Sequence, residues 1–268
     1  MKYKLLVADF DDTTVDDSLV ISDKVKDSIL KYVKNGGFFT FCTGRMTESI
    51  INYARELGLK GQIMGYQGAE VADIQTGEIL YQNTISKESA LYICDYLDKT
   101  GEYYQLYHGG NFYVEKDCLQ ARDYEMFTGI KMNVTNSILS DFVNKNNIEP
   151  LKIMLRINPK DNEKYIADFS VLFGHLVNIN TSKQHLIEIV DKQVDKGIAV
   201  RDLCKRLKIS REDTVCIGDS LSDVPMIKFA GLGVCVSNGL EIAKKAASLI
   251  VPSCAEGGLS FLIENYCL

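Results

Sequence analysis

Three carboxylates close an apolar run near the start of the chain. In LLVADFDDTT, Asp9, Asp11 and Asp12 fall within four positions, and Thr13 and Thr14 follow at once. Like charges this close repel, so their gathering calls for a cation, and Mg²⁺ is the usual guest of an all-oxygen ligand set. Three more clusters carry compatible chemistry. Thr43-Gly44-Arg45 follows FFTFC, Lys196 opens KGIAVRDLCKRL, and Asp219 ends TVCIGD with Asp223 four residues on. Asp9 and Asp219 are the candidate side-chain ligands. An extended chain puts Asp9 and Asp11 on one side, within reach of one substrate group. A lysine and a threonine hydroxyl can then hold the oxygens of a phosphoryl group.

The elements that must position these residues alternate. YKLLVADF reads as a doubly covered parallel strand. SDKVKDSILKYVKNGG reads as a helix capped by Ser22 and ended by Gly36 and Gly37. FFTFCT is a second strand and MTESIINYARELGL a second helix, stopped near Gly58. The last third repeats the pattern: DKGIAVRDLCKRLKI helical, TVCIGD a strand, SDVPMIKFA a short helix, GVCV a strand, LEIAKKAAS a helix, LIVP a strand and GLSFLIENY the closing helix. Ser210, three residues before Asp213, suggests a further cap. Strand–helix alternation implies βαβ units and a parallel sheet, whose ligands bind at the strands' carboxyl ends. The four clusters occupy such ends.

The middle differs. EILYQNTI and EYYQLYHGGNFYVE alternate as antiparallel strands do, with a hairpin turn at HGGN. LKIMLRIN is another strand, while SKESALYICDYLDKTG and NEKYIADFSVLFG are helical. The expected organisation is an α/β, Rossmann-like core formed by residues 1–82 and 187–268, interrupted by an α+β cap at 83–186. Tyr107, His108 and Asn111 on the hairpin, and Lys183 and His185 where the cap returns, are candidates to face the leaving group.

Bulk composition narrows the classes. A chain of 268 residues with 46% hydrophobic and 25% charged residues is long enough for two domains. A net charge of −6 lacks the basic footprint of a nucleic-acid binder. No apolar run reaches the roughly 18 residues of a membrane span, and Asp9 cuts the N-terminal stretch too short for a signal peptide. The eight cysteines show no paired spacing, which points to buried free thiols in a reducing cytoplasm.

Taken together, Asp9-Phe10-Asp11-Asp12-Thr13, Thr43-Gly44-Arg45, Lys196-Gly197 and Gly218-Asp219-x-x-x-Asp223 resemble the four ordered motifs of the haloacid dehalogenase superfamily. The segment GVCVSNGLEIAKKAASLIVPSCAEGG, with Asn238 at its asparagine position, is similar to the Cof-type sugar-phosphatase branch. The resemblance covers both terminal thirds. It covers the cap only in size and composition. It implies that Asp9 attacks phosphorus and that Asp11, kept protonated by its surroundings, serves as acid and then base. Mg²⁺ would sit among Asp9, the Asp11 carbonyl and Asp219. Thr43, Gly44, Arg45 and Asn238 would bind substrate together with Lys196. Asp223 would support the metal or Lys196 from behind. The implied partner is a small phosphorylated metabolite, a sugar phosphate or a cofactor phosphate.

Three positions depart from the family pattern: Asp12 stands where glycine is usual, Ser222 where asparagine is common, and Gln67 near the expected phosphate site in place of asparagine. Two rivals share the motifs, a phosphomutase or phosphotransferase using the same nucleophile, and a ligand-binding protein with weakened catalysis. Dehalogenation fits badly, since it calls for neither the Asp11 acid nor a metal site.

Overall fold

The computed structural model describes residues 2–268. The first segment runs β1 (Leu5–Ala8), α1 (Asp23–Lys34), β2 (Phe38–Phe41), α2 (Thr47–Glu56), β3 (Gln62–Gly65), β4 (Glu70–Asp73) and β5 (Ile79–Gln82). The middle adds α3 (Lys87–Thr100), β6 (Tyr104–His108), β7 (Asn111–Val114), α4 (Leu119–Thr128), β8 (Met132–Val134), α5 (Leu139–Asn146), β9 (Lys152–Arg156), α6 (Asn162–Phe173), β10 (Val177–Asn180) and β11 (Leu186–Asp191). The chain closes with α7 (Lys196–Leu207), β12 (Thr214–Gly218), α8 (Val224–Phe229), β13 (Leu232–Val236), α9 (Glu241–Ala246), β14 (Leu249–Val251) and α10 (Gly258–Leu262).

The core sheet is parallel throughout, in the order β14-β13-β12-β1-β2. Its strands are buried on both faces. From β1, Leu6 and Ala8 pack with Ile29 of α1, Ile50 of α2 and Leu262 of α10, whereas Leu5 and Val7 pack with Val200 and Leu203 of α7 and Met226 of α8. That division by alternate residues is why LLVA needs no polar position. The fold is therefore α/β with a parallel core, as the strand–helix alternation implies. Ser22 does cap α1, its Oγ accepting from the Val25 amide at 3.4 Å. Ser210 accepts from Asp213 N at 3.2 Å, but the segment turns directly into β12, so the motif closes a turn and starts no helix.

A second, six-stranded sheet has the order β10-β11-β9-β6-β7-β8. The hairpin turn at HGGN falls between β6 and β7, with Gly109 and Gly110 both at positive φ, the backbone sign that a two-residue turn requires. One face of this sheet is apolar: Leu106, Ile153, Leu155, Ile187 and Ile189 lie against Ile93 of α3, Val143 of α5 and Phe169 of α6. The other face turns toward the core. The expected return to the core at residue 187 is corrected here, because β11 pairs with β9 and β10 over Leu186–Asp191. Its alternating residues serve the second sheet, and the crossing back to the core lies at 192–195. The earlier crossing follows β5, which pairs with β4 in a small antiparallel sheet.

All eight cysteines are free thiols, six of them buried. Among the described residues, no helix is long and apolar enough to cross a membrane.

Candidate active site

Asp9 lies immediately beyond β1, and its amide donates to Ile217 O of the neighbouring β12 at 2.9 Å. The nucleophile candidate is thus held by the sheet's own ladder. Asp219 stands at the equivalent end of β12, one strand across. Lys196 is the first residue of α7, placed there by its N-cap: Asp195 Oδ1 accepts from the Ile198 amide at 2.7 Å. The side chain then runs under the sheet's end and donates to Asp9 Oδ1 at 2.7 Å and Asp223 Oδ1 at 2.5 Å. Lys196 is 1% exposed and Asp223 fully buried, so this is an interior ion cluster.

Asp223 uses both carboxylate oxygens. Its second oxygen accepts from the amides of Asp219 and Ser220 and from Ser220 Oγ, at 3.0, 2.9 and 2.8 Å. It therefore fixes the turn after β12 and, through it, Asp219. Asp219 Oδ1 accepts from Thr13 Oγ1 at 3.0 Å. The second oxygens of Asp9 and Asp219 take no hydrogen bond from any described residue.

Asp9, Asp219 and Asp223 bring carboxylate oxygens within 4.8 Å of one another. Burial first, and then the Asp223 charge, push the Asp9 carboxyl up to about 7, against the pull of Lys196. Asp219 is raised well above the ordinary carboxylate range by burial, then by Asp223 and Asp9. For Lys196, burial works against the charge, but Asp223 and Asp9 overcome it and hold the ammonium above its usual value. A hard divalent cation fits this donor set, because two free oxygens converge where one lysine leaves negative charge uncompensated. Of the expected metal residues, Asp9 and Asp219 keep a side-chain oxygen for that cation, Asp11 was expected only through its carbonyl, and Asp223 stands behind them on Lys196 and the turn after β12.

Asp11 is gripped by Arg45, whose Nε and Nη2 donate to its two oxygens at 2.8 and 2.6 Å. The expectation that its surroundings keep Asp11 protonated is thereby corrected: it sits in a two-bond ion pair. Arg45 is 6% exposed, so it makes no surface salt bridge. Its guanidinium lies between the rings of Phe10 and Phe127, with centroids 5.0 and 4.5 Å away, and Phe127 belongs to α4 above the core. Thr43 Oγ1 accepts from the Arg45 amide at 3.2 Å. Asp12 takes φ +58°, the left-handed region that glycine occupies without strain, and its carboxylate meets Lys183 at 3.3 Å.

A cavity of about 300 Å³ opens over these groups, lined from below by Asp9, Asp11, Thr43, Gly44, Arg45 and Lys196. From above come Gln105, Lys152, Met154, Arg156, Leu186 and Glu188 of the second sheet, Tyr124 and Phe127 of α4, and Lys183 and His185. Burial, then Arg156 and Lys183, hold the His185 imidazole below its ordinary value. Lys183 and His185 therefore reach the cavity, as their place in the chain suggested.

Asn238 does not line the cavity. Its Nδ2 donates to Asp12 O and its Oδ1 accepts from the Cys254 amide, both at 2.8 Å. With both amide ends spent on backbone, it ties two loops together, and its expected role in substrate binding is corrected to that. Tyr107, His108 and Asn111 are likewise away from the cavity: Tyr107 is core, and His108 meets Glu149 O at 3.1 Å.

Lys152 and Glu188 were not singled out in the sequence. The available signal was a charge at every fourth position on one face of LKIMLRIN, and a carboxylate between the two isoleucines of LIEIVD.

Comparison with known proteins gives the family. A model of the haloacid dehalogenase-like hydrolases matches residues 6–263. The chain is 24% identical over 286 residues to the phosphatase YwpJ of Bacillus subtilis (strain 168), covering 98% of this chain and 99% of that protein. The crystal structure of TM0651 from Thermotoga maritima superposes with a TM-score of 0.82 at 28% identity, covering 99% of this chain and 98% of that one. The sugar phosphatase BT4131, of HAD subclass IIB, shares the fold with a TM-score of 0.83 at 20% identity and 98% coverage of both chains. With the family model spanning nearly its whole length, the chain belongs to the haloacid dehalogenase-like hydrolases.

Proposed function

We propose that this protein is a Mg²⁺-dependent phosphatase that hydrolyses small phosphorylated metabolites, sugar phosphates or cofactor phosphates, through an aspartyl-phosphate on Asp9. One observation carries the reading. Asp9 presents an unbonded carboxylate oxygen to a cavity, while its other oxygen is anchored to Lys196 at 2.7 Å. The names of the relatives, phosphatase YwpJ and the sugar phosphatase BT4131, support it.

The free oxygen of Asp9 attacks phosphorus, and the bond to the leaving oxygen breaks. Lys196 orients the nucleophile and meets the charge gathering on the transferring group, as Thr43 does from the opposite side. Asp11, held as a carboxylate by Arg45 in the free protein, would have to take up a proton as the anionic substrate enters; it then gives that proton to the leaving oxygen and takes one from the water that cleaves the acyl phosphate. The Arg45 fork sets where that carboxylate sits. Asp9, Asp219 and the Asp11 carbonyl would hold Mg²⁺, whose charge offsets the repulsion between the anionic substrate and the carboxylates. Asp223 keeps Asp219 and Lys196 in place. The functional units would be a core of 1–82 and 192–268 and a cap of 83–191, which excludes water from the cavity.

The test is release of inorganic phosphate from a panel of phosphorylated metabolites, with Mg²⁺, with chelator, and with Asp9→Asn. Turnover that needs the metal and vanishes in Asp9→Asn is expected. Turnover surviving Asp9→Asn at the wild-type rate would refute the mechanism, and transfer to an added sugar acceptor without phosphate release would reassign the enzyme as a phosphotransferase.

A further inference from the structure

Two charged residues of the second sheet are almost wholly buried and have no part in the chemistry above. Lys152 of β9 is 1% exposed and Glu188 of β11 is 2% exposed. They pair at 2.7 Å. Isolating two charges from water is costly, and such a pair adds little stability over apolar residues of similar size. The remaining hydrogen bonds of this pair all lead to the core. Lys152 Nζ donates to Gly44 O at 2.7 Å, and Glu188 Oε2 accepts from Gln67 Nε2 at 2.7 Å. The ammonium also lies 4.6 Å from the centroid of the Tyr107 ring.

These contacts converge on one loop. Gly44 follows Thr43, and a Cβ at Gly44 would fall 2.6 Å from Gln67 Nε2 and 3.2 Å from Glu188 Oε1. The loop is thus pressed against the pair with no room for a side chain. Gln67 holds φ +63°, a region unfavourable to a residue with a Cβ, and its amide donates to Thr43 O at 2.8 Å. Glu188 therefore reaches the two carbonyls that flank the loop by separate routes: Gly44 O through Lys152, and Thr43 O through the backbone of Gln67.

We infer that Lys152 and Glu188 are positioning residues, which hold Thr43 and Gly44 in their phosphate-binding conformation from the second sheet. The inference rests on the reading of the site as a phosphatase centre. It makes the phosphate-binding loop complete only when the second sheet is seated on the core.

The experiment compares wild type with Lys152→Met, Glu188→Gln and the double variant K152M/E188L. p-Nitrophenyl phosphate serves as substrate, and inorganic phosphate and orthovanadate as inhibitors. Displacing a positioned group by an ångström costs on the order of 100-fold. The variants should therefore lose about 10- to 100-fold in kcat/KM, and vanadate and phosphate should inhibit at least about tenfold less tightly. Mg²⁺ affinity, set by Asp9 and Asp219, should stay within about twofold. The double variant replaces the pair by apolar side chains and guards against single variants that fail to fold. Amide exchange at Thr43 and Gln67, whose hydrogen bonds fix the loop, should accelerate in every folded variant. A folded double variant with wild-type vanadate inhibition and wild-type exchange at both amides would overturn the inference. A wild-type protein that neither turns over nor binds vanadate would overturn the phosphatase reading instead, and the exchange data would then decide the positioning role alone.

Discussion

Replacing Lys196 by Met removes the one cation that, among the described residues, contacts Asp9 and Asp223, while leaving a side chain of similar length. Both carboxylates are buried, and Lys196 bonds to them at 2.7 and 2.5 Å. Removing one partner of a buried ion pair costs ~3–5 kcal/mol. A chain of this length unfolds with an entropy of about 0.56 kcal/mol per kelvin, so metal-free Lys196→Met should melt roughly 5–9 °C below wild type at pH 8. The deficit should shrink on acidification. Asp9 titrates at about 7 in the folded protein against an ordinary 3.8, so the native state holds a proton that the unfolded chain has released. Stability therefore falls as pH rises through that window. Without Lys196 the Asp9 value climbs further and the fall sets in from a higher pH, so at pH 5.5 the deficit should be smaller by up to about 1.4 kcal/mol. Mg²⁺ at 100 times its dissociation constant adds about 2.7 kcal/mol and should recover roughly 5 °C, although turnover stays abolished. The assay is thermal denaturation with chelator or Mg²⁺ at both pH values. A Lys196→Met protein that melts within a degree of wild type in chelator at pH 8 would refute the view that this lysine holds the acidic cluster together.

Three further outcomes are expected. Asn238→Ala cuts two backbone ties and should cost about 1–3 kcal/mol of stability, with KM within twofold of wild type; a large rise in KM in a fully folded variant would restore Asn238 to the substrate. Phe127→Ala removes a ring from the Arg45 face, an interaction worth ~0.5–1 kcal/mol where partly exposed; it should raise KM about two- to fivefold and leave kcat nearly unchanged in steady-state kinetics. For wild type, the melting-temperature gain produced by Mg²⁺ should be larger at pH 8 than at pH 5.5, because Asp9 and Asp219 must lose protons to take the ion; equal gains would place the ion elsewhere.

The residues that meet at the sheet's end were legible because each follows or opens an element with a clear pattern. Asp9 follows a four-residue strand, Asp219 a five-residue one, and Lys196 starts a capped helix. The contacts across the cavity were not legible. Lys152 is 108 residues from Gly44 and 36 from Glu188, and nothing local in LKIMLRIN says which face of that strand meets the core. The surroundings of Arg45 were not legible for the same reason: Phe127, which covers its guanidinium, comes from a helix that the pattern did not reveal. Asn238 was misread because its position in a motif identified the residue without showing that two backbone groups consume its amide. The return boundary slipped by one strand because four of the six residues of β11 are apolar, which reads as a core strand, and its partner β9 lies elsewhere in the chain.

The interrupted core has a consequence for how the chain reaches this state. β1 lies between β2 and β12, and its pairing with β12 joins Leu5 to Thr214. During synthesis, β1 and β2 emerge early with the other edge of β1 unpaired, and the strand that covers it arrives roughly 200 residues later, ~10–40 s at ordinary elongation rates. The intervening sheet is contiguous in the chain and can form first, which brings the distant halves nearer and lowers the entropy of closing so long a loop. Non-local pairing of this kind is slow, and until β12 docks β1 is an exposed template for another chain. Destabilising the inserted sheet should therefore lower soluble yield more than it lowers the stability of the protein already folded.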